Sequence, residues 1–160
     1  MTPANPVRHA VVVELRSDLF ADGENIPAWY TCEGEDMSPS LHWSGVPDGT
    51  VQLALTLEDP DAPGGVFVHW VAWGLAPERR GLQEGEVPAE MVQGTNSFGE
   101  VGYRGPCPPH GHGPHRYVFT LLALDADPEL PGAASIDQLR RACAGHVLAE
   151  ATLTGYFERV

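Results

Sequence analysis

Glycine and proline break this chain so often that no apolar stretch runs much beyond the ten residues of VFVHWVAWGL (66–75), and that punctuation limits what it can fold into. There are 18 glycines and 15 prolines in 160 residues. Proline ends helices and interior strands, and glycine supplies the backbone conformations of tight turns, so short strands joined by turns are favoured over long helices. VQLALTLE (51–58) puts Val51, Leu53, Leu55 and Leu57 on one side and Gln52, Thr56 and Glu58 on the other, the period of a half-buried strand. VFVHWVAWGL and RYVFTLLAL (116–124) are apolar on both faces, which predicts central strands. VVVEL (11–15), SLHW (40–43) and EATLTGYFE (150–158) add further strands. Helical spacing occurs once: Ser135 and Gln138 fit a capping box, and Ile136, Leu139, Cys143 and Val147 follow, with Arg140 and Arg141 outward. That predicts a helix over 135–148. The pattern is that of a mainly antiparallel β domain, a sandwich or barrel, spanning residues 1–160 with its core at about 10–159. The connection over 76–102, rich in Gly, Glu and Pro, is long enough to suggest a functional loop.

Charge narrows the partners. Nine basic residues, all arginine, face 22 acidic ones, for a formal charge of −13. Such a field repels polyanions, so neither nucleic acid nor an anionic membrane surface is an expected partner, and without lysine there is no Schiff-base chemistry. No apolar run approaches the roughly 20 residues of a membrane span, and MTPANPVRHA at the N-terminus lacks the regions of a signal peptide, which predicts a cytoplasmic protein. Cys32, Cys107 and Cys143 are odd in number and share no CxxC spacing, as expected of reduced thiols in a cytosol.

Against that acidic background, GPCPPHGHGPHRY (105–117) contains three histidines and no carboxylate. Its glycines and prolines set backbone N–H groups at fixed angles, with Pro108-Pro109 a candidate cis bond. Arg104, Arg116, His110, His112 and His115 add side-chain donors, so the segment suits a small phosphate or carboxylate. A second cluster precedes it. EDPDAP (58–63) ends one strand with Asp59 and Asp61, and His69 opens the next, so either carboxylate is placed to fix the tautomer of His69. Asp61 is also placed to make the Asx-turn that shapes DPDAP. Trp43, Trp70 and Trp73 read as core, and His110 and His112 as exposed loop residues.

DPDAP, FVHW and GPCPPHGHGPHRY together resemble the two signature regions of the phosphatidylethanolamine-binding protein family, in its bacterial Raf kinase inhibitor-like branch (YbhB/YbcL type). IPAWYTCEGEDMSPSLHWSGVP (26–47) resembles that branch as well, and the similarity runs from about residue 12 to the C-terminus. The resemblance implies an antiparallel β-sandwich, with short helical turns beside its one helix, and an anion pocket at one end. On it, Asp59, Asp61 and His69 are pocket residues, Phe67 is an aromatic wall, and Pro109, His115 and Tyr117 belong to the second signature. Gly105 and Cys107 are the positions that present backbone amides to the anion. It implies no cofactor, and it implies a homodimer. Only Gly64 and Gly65 separate DPDAP from the Val66 strand, and the chain stops directly after a strand, so lipid-tail binding and kinase inhibition are not carried over.

Three functions follow. The first is a non-catalytic binding protein for phosphate, phosphoethanolamine or a carboxylate, acting through that pocket on a protein partner. The second is a hydrolase of phosphate or acyl esters using His69 or His115 with Asp59, although no GxSxG elbow or nucleophile is evident. The third is a metal site built from the H-x-H-x-x-H run of His110, His112 and His115.

Overall fold

Nine strands and one helix order residues 12–160, the span that this computed structural model describes. The N-terminal segment on which the signal-peptide expectation rests, together with Val11, lies outside it. In chain order the strands are β1 (Glu14–Arg16), β2 (Glu24–Asn25), β3 (Leu41–Ser44), β4 (Gln52–Asp59), β5 (Phe67–Leu75), β6 (Gly81–Leu82), β7 (Val92–Gln93), β8 (His115–Leu124) and β9 (Val147–Phe157). The helix, α1, is Ile136–Cys143. They form a three-stranded sheet, β1-β3-β6, and a six-stranded sheet, β2-β9-β8-β4-β5-β7. Every pairing is antiparallel except β2 with β9.

The two sheets share one apolar interior. Leu15, Leu41, Trp43 and Leu82 of the small sheet are buried in one cluster with Leu53, Leu55, Leu57, Phe119, Leu121 and Leu153 of the large one. Each such leucine contributes on the order of 1.5–3 kcal/mol on leaving water. The opposite face of the large sheet is covered by α1, where Ile136, Leu139 and Cys143 meet Ala54, Val71, Trp73 and Leu124. This second layer changes the reading of β4. The strand is covered on both faces, so Gln52 and Thr56 are buried, while Val51 is 50 % exposed just outside it. Buried Gln52 is satisfied by accepting the Gly74 amide at 2.8 Å. The three tryptophans are core residues as expected.

The helix begins where the sequence places it. Ser135 Oγ accepts the Gln138 amide at 3.1 Å and Gln138 Oε1 accepts the Ser135 amide at 2.8 Å, which completes the capping box. It ends four residues earlier than Val147, because Gly145 turns the chain at φ +80° and Val147 opens β9. The 76–102 connection is also more ordered than its composition suggests, with β6, β7 and a Thr95–Val101 bridge. All peptide bonds among the described residues are trans, including Pro108-Pro109.

Candidate functional site

One irregularity in the large sheet aims the central side chain. Leu57 pairs with Trp70 and Glu58 with Val68, so His69 is an extra residue in β5 without a partner on β4. Such a bulge bends the strand and re-aims the residue it adds. Both backbone and ring of His69 turn to the 103–109 loop instead: its carbonyl accepts the Arg104 amide at 3.1 Å, and Nδ1 donates to the Arg104 carbonyl at 2.8 Å. A carbonyl only accepts, so Nδ1 carries the proton. Burial drives the His69 imidazole below its ordinary range, the loop carbonyl and the Asp59 charge opposing more weakly, and the ring is neutral near pH 7 with its lone pair on Nε2.

Asp59 serves a different histidine from the one expected. Its Oδ2 accepts from His115 Nδ1 at 2.7 Å, with both side chains buried, and His69 is held by the loop instead. The Asx-turn in DPDAP also belongs to Asp59, whose Oδ1 accepts the Asp61 amide at 2.8 Å. Asp61 receives Arg116 through its amide (2.8 Å), Nε (3.0 Å) and a terminal nitrogen (2.7 Å), and these bonds hold its carboxyl down at about 2. The remaining nitrogen of His115, Nε2, lies 2.6 Å from Nδ1 of exposed His112. His112 is therefore more than a solvated loop residue.

The loop itself is fastened from two sides. Asp36 accepts the Gly105 amide at 2.8 Å and Arg104 Nε at 2.9 Å, and Tyr103 Oη donates to the Tyr30 carbonyl at 2.7 Å. A Cβ at Gly105 would collide with the Tyr30 carbonyl and the Asp36 carboxylate, so this approach needs glycine. Cys32 and Cys107 form a disulfide across 75 residues, with Cα atoms 5.4 Å apart, which corrects the expectation of reduced thiols. Only Cys143 is free among the described cysteines, buried on the inner face of α1. From the other side, Arg159 Nε donates to the Pro108 carbonyl and the Gly111 amide to the Arg159 carbonyl, at 2.6 and 2.8 Å.

Two of the donors expected for an anion are committed elsewhere. Arg104 is shared between Asp36 and Glu100, and Arg116 belongs to Asp61. The Gly105 amide is likewise taken, whereas the Cys107 amide has no partner among the described residues. Pro109 is exposed and orders the loop through its carbonyl, which accepts the His112 amide at 3.3 Å. His110 turns away to the Val160 carbonyl, and among the described residues no three His, Cys, Asp or Glu side chains converge on a point that would hold a metal.

What remains is an aromatic-walled set of polar groups at one end of the large sheet. His69 packs against Phe67, Tyr117 and Phe98, with centroids at 5.1, 5.4 and 5.6 Å, and His115 stacks on Tyr117. The sequence reading missed Phe98. Buried Asn96 positions it, accepting the Phe98 and Glu100 amides and donating to the Gly102 carbonyl, and the Arg104 guanidinium lies 4.7 Å over its ring. The Asn-Ser of GTNSFG was the available turn signal. Tyr117 is fully buried and its hydroxyl has no hydrogen-bond partner among the described residues. Burial pushes the phenol up, and Asp59 adds to it through its charge and a marginal contact with the hydroxyl that falls short of hydrogen-bond geometry. The phenol stays protonated, a donor without an acceptor.

Known proteins share both sequence and fold. The phosphatidylethanolamine-binding protein family profile matches residues 16–158. A UPF0098 protein of Methanothermobacter thermautotrophicus is 46 % identical over 152 residues, covering 92 % of this chain and 99 % of its own. A crystal structure of a phosphatidylethanolamine-binding protein homologue from Chlamydia trachomatis superposes with a TM-score of 0.89 at 38 % identity, covering 94 % of this chain and 100 % of its own. For YbcL of E. coli the values are 0.86, 32 %, 92 % and 99 %. The profile match and these relatives, which cover nearly the whole chain, show that it belongs to the phosphatidylethanolamine-binding protein family.

Proposed function

We propose that this protein binds a small oxyanion, the phosphate of a phosphoethanolamine head group or a carboxylate, at the Tyr117 hydroxyl between His69 and His115. The observation that carries the reading is that hydroxyl. A buried polar group without a partner costs on the order of 1–3 kcal/mol, and native proteins rarely keep one without a use. An anion oxygen admitted to it would satisfy it, and the Cys107 amide on the fastened loop is a further donor without a partner among the described residues. Nε2 of neutral His69 accepts a proton borne by the ligand, or donates once protonated.

A hydrolase is less well supported. Of its two candidate acid–base groups, His115 spends Nδ1 on Asp59 and Nε2 on His112, which leaves Nε2 of His69 alone to serve. The disulfide supports work in an oxidising compartment in place of the cytoplasm. Among the described residues no helix is long and apolar enough to cross a membrane.

Calorimetric titration with phosphate, phosphoethanolamine and acetate tests the reading on wild type, His69→Ala and Tyr117→Phe. At least one anion should bind wild type and lose roughly tenfold or more in affinity in Tyr117→Phe, the equivalent of about 1.4 kcal/mol for one charge-assisted bond. Tyr117→Phe should melt no lower than wild type, since it removes an unsatisfied group. No binding by wild type, or undiminished binding by both variants, would sink the proposal.

A further inference from the structure

The row Asp59, His115, His112 carries a buried carboxylate to the surface through two imidazoles, and its outer member has no role in the reading above. Both Asp59 oxygens act as acceptors, Oδ1 for the Asp61 amide and Oδ2 for His115 Nδ1, so His115 carries its proton on Nδ1. Between His115 Nε2 and His112 Nδ1 one proton makes the 2.6 Å bond. With both rings neutral, every nitrogen but one is then committed. The next proton enters at His112 Nε2 without breaking a bond, and His112 is exposed to the solvent that delivers it.

An anion entering here needs such a charge. The molecule is formally −13, Asp59 adds a negative charge beside Tyr117, and Arg104 and Arg116 are already paired with carboxylates. Among the described residues, Arg159, fixed on the loop by Pro108 and without a carboxylate within 4 Å, is the cation left beside the site. We propose that the protein takes up one proton at His112 when it binds an oxyanion, so that the imidazole row turns from net negative to neutral as the ligand arrives. This rests on the oxyanion reading of the site. Linkage makes the effect reciprocal: anion favours the protonated row, and acid favours the anion.

The groups around the row set its balance. From the β4–β5 turn, Asp59 and Asp61 favour the proton, although Asp61 is largely neutralised by Arg116 of β8. Arg159 opposes it from beyond β9. His69 of β5 and Tyr117 of β8 complete the surroundings, and His110 of the same loop faces the Val160 carbonyl.

Sulfate is the discriminating probe, because unlike phosphate it neither gains nor loses a proton between about pH 5 and 8, where imidazoles titrate. Sulfate and phosphate are titrated into wild type and His112→Gln in buffers of different ionisation enthalpy, which reads protons taken up per anion. Wild type should take up about one proton per sulfate near pH 7, with affinity rising on acidification, and His112→Gln should take up close to none. Sulfate binding without uptake, or equal uptake in His112→Gln, overturns the proposal and leaves the oxyanion site standing. Binding of phosphate but not sulfate also overturns it, since the proton then comes from the ligand. If wild type binds neither, nor phosphoethanolamine or acetate, the oxyanion reading falls and this inference with it.

Discussion

His69 shows how one residue couples the site to stability. Its folded value lies below the ordinary 6.5 because burial penalises the charged ring. The sign follows directly. Below pH 6.5 the unfolded chain takes up the proton that the folded ring resists, so the stability present above 6.5 is lost as pH falls toward the folded value, at up to about 1.4 kcal/mol per pH unit. Urea unfolding at about pH 7.5 and 5.5 should therefore show a smaller loss for His69→Gln, which keeps a donor for the Arg104 carbonyl, than for wild type. An equal loss would mean that other groups set the acid response. The presence of His69, Asp59, His115 and Tyr117 at the site was legible in the motifs, but their pairing was not. Chain order makes β5 the neighbour of β4, whereas the sheet also places β8 on the other side of β4, and Asp59 turns its carboxylate to His115 there. A one-residue bulge shifts the alternation of a strand, but β5 is apolar on both faces and so carries no alternation in which the shift could be read.

At the scale of elements, periodicity reported the cores of strands and failed where a second layer intervened. β4 reads as half-buried because Gln52 and Thr56 are polar, yet α1 covers that face and Gln52 is tolerated through its bond to Gly74. The helix start was legible because capping is local chemistry. Its end was not, since Val147 fits both the helical spacing and the following strand. An eight-residue helix does not stand in water unaided, so α1 depends on its cap and on the contacts of Ile136, Leu139 and Cys143. Ser135→Ala should cost about 1 kcal/mol in denaturant unfolding. The site lies on the face of the sheet that meets the small sheet, opposite α1, so anion affinity should be unchanged in that variant. A fall in affinity would show that α1 supports the site as well as the core.

For the whole molecule, the question is what holds a donor loop in place when so little of it is regular structure. Residues 103–109 are fixed by Asp36, by the Tyr30 carbonyl, by the Arg159 clamp and by the Cys32–Cys107 bond, all reaching in from distant parts of the chain. None of these partners is close in sequence, and cysteine spacing says nothing about a pair brought together across 75 residues by the fold. That is why the loop's composition was readable and its anchoring was not. Cross-linking across such a span restricts the unfolded chain, and disulfides of this kind typically stabilise by roughly 2–4 kcal/mol. It also fixes the Cys107 amide relative to the Asp36 contacts. Replacing both cysteines, Cys32→Ser with Cys107→Ser, should lower unfolding stability by about that amount, and anion affinity should fall several-fold because the loop must be ordered on binding. Wild type in dithiothreitol should behave like the double variant, and the double variant should not respond to the reductant. If stability falls while affinity holds, the hydrogen bonds of Asp36 and Arg159 alone keep the loop in its binding conformation, and the disulfide serves the fold and not the site.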